Sequence, residues 1–160
     1  MSIWITMAIL LAELAGVIYF LAIIALGNCS IIHGEVLSAL VCALFGGVGG
    51  CVYCLRGIYI NACAKNTWSK SWLPWYAIRP FVSLVMGGIS YLFAKSGLLL
   101  LGADINQNAS ELGLWAIAFI AGLNVDKFIV RIEAVGQSVW GIEPSRQSKQ
   151  NNDQTTSKEK

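Results

Sequence analysis

Val36–Leu55 reads VLSALVCALFGGVGGCVYCL, a run with no charged residue and with glycines at 46, 47, 49 and 50. At a helical rise of about 1.5 Å per residue it covers about 30 Å, the hydrocarbon thickness of a bilayer. Soluble domains carry about 25% charged residues, because charge holds their surface in water. This 160-residue chain carries 12%, against 56% hydrophobic residues. The run therefore reads as a membrane span. A backbone in lipid must satisfy its own hydrogen bonds, and the run does not alternate as a barrel strand would, so the span is helical. The glycines are not a phosphate-binding loop, since no strand precedes them and no Lys-Ser/Thr follows. Gly46 and Gly50 instead have the small-xxx-small spacing that lets helix backbones approach each other.

Three further apolar stretches flank this one. Ile3–Leu26 contains one charged residue, Glu13, and Phe81–Leu101 contains one, Lys95. The fourth is purely apolar from Leu112 to Leu123 and reaches span length by continuing through Asn124, Val125, Asp126 and Lys127. The expected fold is all-α: a polytopic membrane protein with four transmembrane helices, at about 3–26, 36–55, 81–101 and 112–127, within a domain over 1–140. Ser83 with Gly87, and Ala118 with Gly122, repeat the small-xxx-small spacing in spans three and four. Packing within one chain is the first reading of these pairs, and a contact between copies is the alternative. The first stretch lacks the basic n-region and the small-x-small cleavage site of a signal peptide, so it reads as a retained span.

The basic residues fix an orientation. Arg56, Lys65, Lys70 and Arg79 lie between spans two and three, and Lys127, Arg131, Arg146, Lys149, Lys158 and Lys160 follow span four. Residues 28–34 and 103–110 contain no Lys or Arg. Positive charge accumulates in cytoplasmic loops. Four crossings with both termini in the cytoplasm put every basic residue outside the spans on that side. Trp68, Trp72, Trp75, Tyr76 and Arg79 crowd the stretch before Pro80. They read as interfacial anchors on a loop lying along the cytoplasmic face, with Arg79 among lipid phosphates and Pro80 in the first turn of span three. Trp4 and Trp140 fit the same interface. After Asp126, the residues Phe128, Ile129, Ile132, Val135 and Val139 recur at helical spacing, which predicts an amphipathic helix. Residues 141–160 are polar and read as a disordered cytoplasmic tail.

Ionisable groups inside a span are costly and mark packing or transport. Lys95 lies about four residues deeper than Glu13, roughly 6 Å at helical rise, which a lysine stem can bridge. The expectation is an ion pair across the bundle that fixes packing. Its functional alternative is a polar element of an ion or proton path, and unpaired snorkelling is the third possibility. His33 and Glu35 form at most half a metal site and read as a loop pair capping span two. Of five cysteines, only Cys29 falls in an outer loop, so no external disulfide forms within one chain. Cys51-x-x-Cys54 sits in an apolar run without the βαβ context of a redox motif, and a packing role fits better. No catalytic set, metal motif or nucleotide motif is present, so no cofactor and no enzymatic activity are expected. A net charge of +2 is too small to argue for nucleic acid.

Trp75–Tyr76–Ala77–Ile78–Arg79–Pro80, followed by Gly87–Gly88 and Tyr91, resembles a pattern in small bacterial inner-membrane proteins without assigned function. Ala118–Phe119–Ile120–Ala121–Gly122 and the charged helix after it are similar to the sequel in such proteins. The resemblance covers the second half of the chain. It implies an inner-membrane location and brings no activity with it. The expected role is a structural or accessory component of a membrane assembly, as a homo-oligomer or beside a partner membrane protein. Its cytoplasmic face is free to recruit a soluble partner. A small oligomeric pore, transporter or membrane-permeabilising effector is the alternative.

The orientation is directly testable. Green fluorescent protein fused after Lys160 is expected to fluoresce, and alkaline phosphatase fused there to stay inactive. The reverse pattern would place the basic segments outside the cell.

Overall fold

A computed structural model of the chain describes residues 3–27, 34–64, 72–97 and 111–141. Expectations for residues 28–33, for Lys65, Trp68 and Lys70, for 98–110 and for the tail at 142–160 lie outside these residues. Nearly all of the described residues are helical, with no strand among them. The helices are α1 (Ile3–Ala25), α2 (Glu35–Tyr59), α3 (Leu73–Lys95), α4 (Glu111–Leu123) and α5 (Val125–Trp140). α2 runs on through a π-helical turn, Ile60–Ala64. Three helices, α1 to α3, are long and apolar enough to cross a membrane, and α4 with α5 makes a fourth candidate if counted as one broken span.

Helix ends differ from the hydropathy reading in three places. α3 begins at Leu73, with Pro74 in its first turn, and Pro80 lies inside the helix and is buried. Pro74 takes the position where a missing N–H costs nothing. The Arg79–Pro80 step is therefore not the start of span three. α3 also stops at Lys95 rather than near Leu101. Ser96 N–H donates to the Leu92 carbonyl at 2.9 Å and Gly97 N–H to that of Ala94 at 3.1 Å, with Gly97 at φ 73°. Only glycine takes this left-handed cap without strain. The apolar residues that follow hide the stop from a hydropathy count. The fourth stretch breaks at Asn124, whose N–H closes α4 on the Ile120 carbonyl at 2.9 Å. The expected continuous span over 112–127 is thus two helices. Asp126 stands in the first turn of α5, where its charge complements the positive helix end. α5 is the most strongly amphipathic of the described helices. It belongs to a separate compact unit beginning at Asp126.

Residues Met1–Val125 form the other unit, and α2 is its centre, packed against α3, α4 and α1. The α2–α3–α4 contact is backbone to backbone. A Cβ added to Gly46 would lie 2.5 Å from the Ser83 carbonyl oxygen and 2.6 Å from the Gly87 Cα. One added to Gly87 would lie 2.5 Å from the Cys42 carbonyl oxygen. Gly49 is equally crowded by α4 at Phe119 and Leu123, and Gly122 abuts the Gly46 backbone. Ser83 Oγ donates to the Gly122 carbonyl at 3.0 Å, tying α3 to α4 beside Gly50. Ala118 is fully buried against Cys42 and Tyr91, and Phe45 stacks on Trp115 at 5.5 Å. Gly46, Gly50, Ser83, Gly87, Ala118 and Gly122 all lie buried in this seam. In lipid, where burial of apolar surface drives nothing, such close packing is what holds helices together.

α1 is held differently. Thr6 and Leu10 are its only buried described residues. Leu10 joins Cys54, Ile58 and Tyr76 in a cluster at one end of the bundle. Large apolar side chains such as Ile9, Ile18, Tyr19 and Phe20 stay exposed, as expected of a helix facing lipid.

The seam can be weighed by substitution. Gly46→Ala and Gly122→Ala should each lower stability in detergent by about 1–3 kcal/mol or more, since the new methyl meets backbone that cannot yield. Gly113→Ala, whose Cβ meets nothing within 4 Å, should be neutral or stabilising by up to ~1 kcal/mol. Thermal unfolding of the three variants checks this; equal melting of Gly46→Ala and the parent protein would mean a looser seam.

Candidate functional site

Three clusters of ionisable and aromatic side chains stand out in the first unit. The first surrounds Glu13. The second half of α1 does not pack tightly on the bundle, and a cavity of about 230 Å³ lies beneath it, between α1, α2 and α3. Gly16 keeps it open, for a Cβ there would meet nothing within 4 Å. Val17, Leu44, Cys51 and Phe81 give it an apolar wall. Glu13 is the one charged residue in that wall, and its Oε2 is buried with no hydrogen-bond partner among the described residues. A carboxylate in such surroundings needs a compensating positive charge, a proton included. A second cavity of about 210 Å³, walled by Leu21, Ile24, Val41, Phe45 and Trp115, lies under the end of the same helix. α1 is therefore fastened near Thr6 and Leu10 and loosely supported beyond Glu13. Sparse packing of this kind marks a segment that opens at low free-energy cost.

The second place is the far end of α2 and α3. Lys95 Nζ donates to Glu35 Oε1 at 2.6 Å, and the Tyr91 hydroxyl donates to Glu35 Oε2. Lys95 therefore pairs with Glu35, and the expected Glu13–Lys95 pair does not form. The physical reason lies in the helix ends. Because α3 stops at Lys95, that lysine is terminal rather than deep, and its partner is the residue that opens the antiparallel α2. Glu35 makes no capping bond; Gly34 is the N-cap and carries no side chain to do so. The pair is largely exposed, with side chains 57% and 68% accessible. Tyr91 and Lys95, one turn apart on α3, are the signal that a sequence reading could have used for Glu35.

The third place is the opposite end of the same helices. Trp72 and Trp75 are exposed at 46% and 39%, while Tyr76 and Arg79 are exposed at only 1% and 5%. Tyr76 and Arg79, expected as exposed anchors, are thus buried within the unit. The Arg79 guanidinium carbon lies 4.7 Å from the Tyr53 ring centre and 5.0 Å from that of Trp75. Each such cation–π contact is worth about 2 kcal/mol when desolvated. Trp75 meets Tyr76 edge-on, and Asn61 Nδ2 donates to the Tyr76 hydroxyl at 3.2 Å. Tyr53 was invisible to a reading along the chain, because it reaches Arg79 from α2.

Cys42, Cys51 and Cys54 are free and buried. Among the described residues no cluster of three His, Cys, Asp or Glu could hold a metal ion. Comparisons with protein-family models, with curated proteins and with solved structures return no match.

The two competing ion pairs separate in a swap experiment. Glu35→Lys with Lys95→Glu should recover stability lost in either single variant, whereas Glu13→Lys with Lys95→Glu should recover nothing. Detergent melting curves of the six proteins decide it, and recovery in the Glu13 swap would reinstate the central pair.

Proposed function

We propose that this chain is a structural or accessory component of a membrane assembly, multi-pass in a bacterial inner membrane with both termini in the cytoplasm. The observation that carries this reading is the α2–α3–α4 seam. Backbone meets backbone at Gly46, Gly87 and Gly122, so among the described residues no polar path runs along that seam. The charged groups support it. Glu35 with Lys95 sits at one end, Arg79 lies under aromatic rings at the other, and Glu13 stands apart in its own cavity. Groups so dispersed fix packing and depth; they do not form a reaction centre. The amphipathic α5, considered by itself, offers Ile129, Val130 and Val139 as exposed apolar side chains beside Lys127 and Arg131. That composition suits recruitment of a soluble partner at the membrane surface. The helical fold and the three to four helices long and apolar enough to cross a membrane are compatible with a multi-pass membrane protein.

One observation favours a second reading. The unpartnered Glu13 Oε2 beside a cavity is what a proton- or cation-coupled transporter or an oligomeric pore would use.

Liposomes loaded with a proton- or potassium-sensitive dye separate the two. The accessory reading expects no flux from pure protein and specific co-purification of a partner from native membranes. Flux that Glu13→Gln abolishes would overturn it in favour of transport.

A further inference from the structure

The aromatic end of α2 and α3 encloses a cavity of about 290 Å³ whose chemistry differs from the other two. Tyr53, Arg56, Asn61, Trp72, Trp75 and Tyr76 line it. On α2, Tyr53, Arg56, Gly57 and Ile60 recur at helical spacing and bring one face to the cavity. Gly57 keeps its floor low, since a Cβ there would stand 3.0 Å from the Tyr76 hydroxyl.

Everything that lines this cavity and carries a hydrogen-bonding group can donate. Arg56 supplies an exposed guanidinium, Asn61 an amide with a second N–H beyond the one given to Tyr76, and Trp72 and Trp75 their indole N–H groups. No carboxylate lines it among the described residues. A second positive charge, Arg79, lies directly behind the Tyr53 and Trp75 rings. The N-terminus of α3 opens at the same rim. On the α2 side the helix does not end at Tyr59. Ile60 N–H already takes up the Arg56 and Gly57 carbonyls, and the chain continues through the π-helical turn. An exposed guanidinium, several N–H donors and flat aromatic walls describe a site for a phosphate group.

We propose that this cavity binds the phosphate of an anionic phospholipid headgroup, with Arg56 as the contacting cation and Trp72 and Trp75 flanking it at the headgroup level. The proposal rests on the membrane reading above. Arg56 is the first charge after the uncharged Val36–Leu55 run, which puts the cavity at the depth where headgroup phosphates lie.

The test is native mass spectrometry of the full chain, delipidated in a neutral maltoside and titrated with phosphatidylglycerol or phosphatidylcholine of the same acyl chains. The expected result is about fivefold tighter binding of phosphatidylglycerol, the effect of roughly one interfacial cation. Arg56→Gln, at an exposed position, should abolish the preference, lowering phosphatidylglycerol binding about fivefold or more. Arg131→Gln, an arginine of α5 outside the cavity, should keep the preference. Equal binding of the two lipids, or a preference that survives Arg56→Gln, overturns the proposal. Displacement of the lipid by millimolar inorganic phosphate or glycerol phosphate would show a soluble phosphate ligand instead, and would overturn the lipid assignment. A chain that stays monodisperse without detergent would sink the membrane reading itself; a micelle-bound folded chain without lipid preference would sink only this site.

Discussion

The contact of glycine backbone with glycine backbone is the constraint from which the rest of this molecule follows. Gly46, Gly87 and Gly122 let α2, α3 and α4 approach until no side chain fits between them, and Ser83 spends its hydroxyl on the Gly122 carbonyl. In water this would be one device among several. In hydrocarbon, where lipid tails solvate leucine as well as another helix does, dispersion at close range and a few hydrogen bonds supply the whole attraction. A seam that tight also dictates what the unit cannot contain. Among the described residues the seam itself leaves no room for a charged side chain, and Glu35, Lys95 and Arg79 lie toward the helix ends while Glu13 lies under α1.

That placement gives each end of the bundle its own chemistry. At one end, Glu35, Tyr91 and Lys95 form an exposed bridge between the start of α2 and the end of α3. At the other, Arg79 is drawn inside and covered by Tyr53 and Trp75, while Arg56 stays outside. α1 is excluded from the seam altogether. It is fastened through Leu10 to Cys54, Ile58 and Tyr76, and beyond Glu13 it rides over two cavities. The rigid part and the yielding part of the molecule are therefore different helices. The buried Glu13 oxygen belongs to the yielding one, which is where a conformational change would cost least.

Much of this was legible in the residues. Uncharged runs of about 20 residues announce helices that lipid can solvate, and the spacing of Gly46 with Gly50 or Ser83 with Gly87 names the faces that approach. Helix ends were harder. Hydropathy continues past Lys95 and hides the stop at Ser96–Gly97, so a count along the chain makes Lys95 deep when it is terminal. That depth is what points to Glu13 rather than Glu35 as its partner. Asn124 likewise sits inside one apolar stretch, although Asp126 just beyond it carries the mark of a new helix start. Arg79 and Tyr76 neighbour Trp72 and Trp75 in sequence, which draws them to the interface in a reading along the chain. Their burial depends on Tyr53 and Asn61, which arrive from α2, and cross-helix contacts leave no periodic trace along one chain.

The close seam is most directly tested by solid-state NMR of the protein in lipid bilayers, with carbon-13 at the glycine Cα positions. Through-space cross-peaks linking Gly46 to Gly87 and to Gly122 are expected, together with lipid-acyl proximity along α1. Glycine signals that show only sequential or same-helix correlations would contradict the seam, and with it the arrangement of charges at the two ends.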